Sequence, residues 1–119
     1  MAAKKKRKRP TTAGPPKIHE ATLASGPLGA VLKGAEIDLA TAIGRRLAGL
    51  DIVVCGDDLK ANYDLAMKVE SAVGPWERQG FHKRPGPQSL PHLQPSVRPP
   101  EGHSFYETDN PKRKARRLR

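Results

Sequence analysis

A single cysteine, Cys55, excludes any intrachain disulfide, so this 119-residue chain must hold its fold by packing and hydrogen bonding. Aromatic residues make up only 4%, and the core has to be assembled mainly from aliphatic side chains. Such a core is marginal in a chain this short. A bound partner is expected to supply part of its stability. No apolar run reaches the roughly 18 residues that a membrane-crossing helix needs, and no apolar signal core follows the basic N-terminus. A soluble protein without a membrane partner is therefore expected, cytoplasmic or, in a eukaryote, nuclear. Neither a GxGxxG run nor a Walker-type phosphate loop occurs, which removes the common nucleotide-binding architectures.

Positive charge is plentiful but concentrated at the ends. The formal net charge is +10, and Lys4–Arg9 (KKKRKR) and Lys112–Arg119 (KRKARRLR) each hold six Lys/Arg. All 12 acidic residues fall between Glu20 and Asp109, against 10 Lys/Arg outside the ends, so the body is slightly acidic. The organisation implied is a disordered basic arm over 1–16, one small globular domain over 17–110 and a disordered basic tail over 111–119. Lys4, Lys5, Lys6, Arg7, Arg113, Lys114, Arg116 and Arg117 are the expected contacts to a phosphate backbone, salt-dependent and indifferent to sequence. The run KKKRKRP is also similar to a simple nuclear localisation signal.

Within the body the patterning predicts an α+β (or minimal α/β) fold. Two helices flank a short strand, followed by a proline-rich irregular segment and a last short strand. Ile37, Ala40, Ile43 and Leu47 repeat at near-helical spacing, which predicts a helix over 35–48 stopped by Gly49. Ile52–Cys55 reads as a short buried strand bounded by Asp51 and Gly56. Leu59, Tyr63, Ala66, Val69 and Val73 predict a second helix, capped by Asp57 or Asp58 and ended by Gly74-Pro75. Magnesium ligation by the two aspartates is the lesser alternative to capping. Residues 18–32 read as a short strand or helical turn, a turn and the lead into the next helix, and Ser104–Tyr106 as a last strand.

The stretch from Phe81 to Glu107 concentrates the chemistry. It holds three of the four histidines and six of the 12 prolines, which argue against a long helix or a central strand. His82, His92 and His103 are ten and eleven residues apart, without the short-range pairing that prepares zinc ligands, so neither a metal nor a cofactor is expected. Imidazoles on a stiff loop suit metal-independent RNA cleavage instead. That reaction needs a base for the 2′-hydroxyl, an acid for the leaving oxygen and cations around the phosphorane. His92 and His103 are the leading acid and base candidates, each preceded by a residue of special backbone character, Pro91 or Gly102. Glu107 and Tyr106 are further proton-transfer groups, with Lys83, Arg84 and Arg98 as cations. His82, beside two cations, suits substrate contact better than proton transfer, and His19 is expected to play no part.

Gly86–Gln94 (GPQSLPHLQ), followed by Gly102–Glu107 (GHSFYE), resembles the tail of the C-terminal toxin modules of bacterial polymorphic (Rhs-type) systems, over roughly residues 51–109. The resemblance implies a small nuclease, often a ribonuclease, neutralised by an immunity protein. Together these readings predict a toxin-like, metal-independent ribonuclease, with RNA favoured over DNA as partner. The alternative is a non-catalytic nucleic-acid-binding or adaptor protein that works through its two basic arms.

Overall fold

Four apolar residues in succession, Ile52-Val53-Val54-Cys55, need cover on both faces, and the chain provides it by running them through the middle of a sheet. The computed structural model describes residues 15–23, 30–79, 90–97, 100–108 and 115–117. In chain order they form β1 (Lys17–Leu23), β2 (Val31–Ile37), α1 (Leu39–Leu47), β3 (Ile52–Cys55), α2 (Leu59–Val73), β4 (Trp76–Gln79), β5 (His92–Pro95), β6 (Ser104–Tyr106) and β7 (Arg116–Arg117). Among the described residues the strands join one mixed sheet, ordered β4-β5-β6-β3-β1-β2-β7. β3 runs parallel to β6, β2 runs parallel to β7, and the remaining neighbours are antiparallel. The fold is α+β, the class that the patterning predicts.

Strand alternation divides the core in two. Ile18, Ile52, Val54, Leu93 and Tyr106 face the helices and pack against Ala42 of α1 and Ala66 and Val69 of α2. Val53, Cys55 and Phe105 point the other way, where they meet Ala21, Val31 and Leu90. Among the described residues, no helix is long and apolar enough to cross a membrane.

Local sequence accounts for most of the elements. Asp58 caps α2 by accepting from Ala61 N at 3.1 Å, so it is the second of the paired aspartates that caps. Asp38 does the same for α1, accepting from Thr41 N at 2.8 Å. The Thr41 side chain and, second to it, the Thr41 backbone amide hold the Asp38 carboxyl below the usual carboxylate range through their hydrogen bonds. α1 ends in a Schellman turn, with Gly49 at φ 81°, Gly49 N donating to Arg46 O at 3.0 Å and Leu50 N to Arg45 O at 2.9 Å.

The structure changes four expectations. The predicted helix over 35–48 starts only at Leu39, because Val31–Ile37 pairs with β1 as a strand. Ile37 satisfied the helical spacing while belonging to a strand, since a short apolar repeat does not separate the two periods by itself. Residues 18–23, read as a short strand or helical turn, lie in β1, a seven-residue strand paired on both sides. The proline-rich stretch contains β5, paired on both sides despite its prolines. Pro91 precedes this strand and Pro95 closes it, so His92, Leu93 and Gln94 keep their N–H groups for the ladder. Within the stretch expected to be a disordered tail, Arg116–Arg117 pair with Leu32 and Lys33 as β7.

Candidate functional site

Sheet register assembles the site. His92 on β5 stands opposite Phe105 on β6, Phe105 opposite Val53 on β3, and Val53 opposite His19 on β1. Cross-strand partners share a face, so this row lies on the side of the sheet away from the helices. Two residues back along the parallel pair β3/β6, and so on the same face as the row, are Asp51 and His103. Ile52 N donates to His103 O at 3.1 Å, which continues the ladder to the residue before β6.

His103 and Asp51 interlock there. Asp51 Oδ1 accepts from the His103 backbone N–H at 2.8 Å and from its Nδ1–H at 3.2 Å. One carboxylate oxygen thus fixes both the chain and the ring of the histidine. With Nδ1–H committed to Asp51, neutral His103 carries its lone pair on Nε2, which is the arrangement of an oriented general base. The His92 ring meets the His103 ring edge to face, 4.6 Å between centroids, and both rings lie 5.3 Å from the Phe105 ring. His92 Nε2–H donates to Gln94 Oε1 at 3.1 Å, which fixes that imidazole too. The two histidines differ in access. His92 is buried at 7% exposure, whereas the His103 and Asp51 side chains keep 26% and 20%. The site therefore opens to solvent on the His103 side.

Comparison with protein-family models, with curated proteins and with solved structures finds no match.

Two of the predicted site residues, His92 and His103, come together; the others do not join them among the described residues. Tyr106 projects to the helix side, its ring 5.4 Å from that of Tyr63. Burial raises its phenol pKa, against the pull of the Arg78 guanidinium, and holds it protonated well past neutrality. Both facts remove it from proton transfer beside His103. Glu107 is buried, and its Oε2 accepts from Ala115 N at 2.9 Å, so it fastens the segment that leads into β7. His19 lies on β1, with Nδ1–H donating to Gly34 O at 3.0 Å. Val53 and Phe105 separate it from His92 in the row. His82, Lys83, Arg84, Arg98, Lys4, Lys5, Lys6, Arg7, Arg113 and Lys114 lie outside the described residues. Arg116 and Arg117 form β7, at the sheet edge farthest from β5.

Sequence reasoning missed Asp51 and Gln94. Asp51 served only as the boundary of a strand, although an acidic residue directly before a buried strand is a signal in itself. Gln94 was visible as the second residue after His92, on the same face of any strand built there.

Proposed function

We propose that this protein is a toxin-like, metal-independent ribonuclease in which His103 and His92 form the acid–base pair and Asp51 orients His103. The observation that carries the reading is the contact of two imidazoles at 4.6 Å, one of them held through Nδ1 by a carboxylate. In the proposed cleavage His103 Nε2 takes the proton of a ribose 2′-hydroxyl, and the freed 2′-oxygen attacks the adjacent phosphorus. The bond from phosphorus to the 5′-oxygen breaks, and protonated His92 gives that oxygen its proton. The products are a 2′,3′-cyclic phosphate and a 5′-hydroxyl end. The Asp51 carboxylate holds the His103 ring through Nδ1 and so keeps Nε2 aimed for the attack. Lys83, Arg84 and Arg98 remain the proposed contacts to the phosphate, and the basic arms the proposed means of capturing RNA. An immunity protein covering the His103 side would silence the site. The proposed place of action is the cytoplasm, or the nucleus of a eukaryotic cell.

Purified protein incubated with total RNA and with plasmid DNA, with and without EDTA, tests the reading. RNA cleavage that survives EDTA and disappears in a His92→Ala/His103→Ala variant is expected. Full activity in that folded double variant would end the catalytic role of the pair. An inactive parent that binds RNA with a steep salt dependence would return the protein to the non-catalytic alternative.

A further inference from the structure

The buried Arg46–Glu70 pair grips the chain on both sides of the Asp51–His103 contact. Arg46 on α1 and Glu70 on α2 are both fully buried, with Arg46 Nε donating to Glu70 Oε2 at 2.6 Å. Arg46 Nη1 also donates to two backbone carbonyls, Leu50 O at 2.9 Å and Glu101 O at 2.8 Å. Leu50 immediately precedes Asp51, and Glu101 lies two residues before His103. From the other side, Ser104, the residue after His103, donates its hydroxyl to Glu70 Oε2 at 2.6 Å. Three hydrogen bonds from one ion pair thus fix the segments that present the two site residues. Arg45 adds to the grip by donating to Asp51 O from Nε at 3.2 Å and Nη2 at 3.0 Å.

Glycine makes the approach feasible. Gly102, at φ 93°, lets the 100–103 segment press against α1, since a Cβ there would come within 2.6 Å of Arg46 Nη1 and 2.8 Å of Gly49 O. The loop before His103 is therefore seated directly on the guanidinium.

We infer that Arg46 and Glu70 are positioning residues for the site, a clamp that sets the Asp51–His103 geometry from beneath the sheet. The role rests on the ribonuclease reading for its effect on turnover, but not for its effect on the geometry. A buried ion pair can often be replaced by apolar residues of similar size without loss of stability. Fold and clamp can therefore be separated.

The Arg46→Met/Glu70→Met variant of the full chain is expected to unfold cooperatively, as the parent does. Its His103 backbone amide, released from a fixed Asp51, is expected to exchange with solvent at least about tenfold faster under native conditions. The kcat for RNA cleavage should fall by about tenfold or more with KM nearly unchanged, as expected when a reacting group is displaced but substrate contacts remain. A folded double variant with parental exchange at His103 and parental kcat would overturn the inference. Should the double variant not fold, Ser104→Ala decides, because it removes only the hydroxyl that reaches Glu70. Faster His103 exchange with a lower kcat is then expected, and parental values of both would overturn the clamp. If the parent does not cleave RNA, the ribonuclease reading falls, and His103 exchange alone decides the clamp.

Discussion

Two side-chain pairs, each with one carboxylate, sit on opposite sides of the junction where β3 meets β6, and they differ above all in burial. Arg46–Glu70 lies on the helix side at 2.6 Å with no exposed side-chain surface. Asp51–His103 lies on the open side at 3.2 Å with about a quarter or less of each side chain in water. A fully enclosed pair cannot exchange protons or meet a substrate; it can only order what surrounds it. The half-open pair has one fixed ring nitrogen and keeps part of the imidazole side chain in solvent, as a group that exchanges protons needs. Placement across a single sheet thus separates a fully enclosed pair from a half-open one.

The largest expected effect would break the enclosed pair. Arg46→Ala leaves the Glu70 carboxylate buried without its cation and should cost about 3–5 kcal/mol of stability, read from the midpoint of urea unfolding. A loss under about 1 kcal/mol would mean that water or a neighbouring donor replaces the guanidinium, and the contrast between the two pairs would weaken.

Next comes the half-open pair. Asp51→Asn keeps the shape and an oxygen acceptor but removes the charge. RNA-cleaving turnover is expected to drop about tenfold, a fraction of the 10²-fold or more expected from removing an imidazole. Thermal unfolding should move by only a few degrees, since the side chain is partly solvated. A fall in stability as large as that of Arg46→Ala would show the pair to be structural like its counterpart.

Gly102→Ala tests the contact between the two regions. The added Cβ would clash with Arg46 Nη1 and with the Gly49 carbonyl at a backbone angle that disfavours side chains. A cost of about 1–3 kcal/mol is expected, together with slower turnover, because the displaced loop carries His103. Stability and turnover both at parental levels would dissociate the loop from the guanidinium.

The smallest effect concerns Tyr106, the aromatic on the enclosed side. Burial raises its phenol pKa above the ordinary value, so the folded chain holds that proton more tightly than the unfolded chain. This contribution is complete below the ordinary tyrosine value of about 10 and fades as pH rises through the higher folded value. Urea midpoints should therefore decline at alkaline pH, and less steeply in Tyr106→Phe. Parallel declines in the two proteins would assign the effect to other groups.

Local signals were read correctly where one element obeys one pattern. The buried run Ile52–Cys55, the second helix with its cap and its Gly74-Pro75 stop, and the last strand at Ser104–Tyr106 all form as their residues predict. The hairpin of β1 and β2 was not legible, because Gly34 and Lys33 interrupt its apolar pattern and the pairing supplies what propensity lacks. The histidines could be singled out by type, yet nothing local says that His92 and His103 touch, or that Tyr106 faces away from them.

The residues alone determine that this is a small α+β chain without disulfides, slightly acidic in its body and basic at its ends, with its imidazoles gathered near the C-terminal side. Only the tertiary structure decides that Asp51, 52 residues from His103 in the sequence, is its partner. That choice belongs to the parallel register of β3 and β6, a long-range pairing fixed by burial on both faces of the sheet rather than by any preference of the chain around either residue.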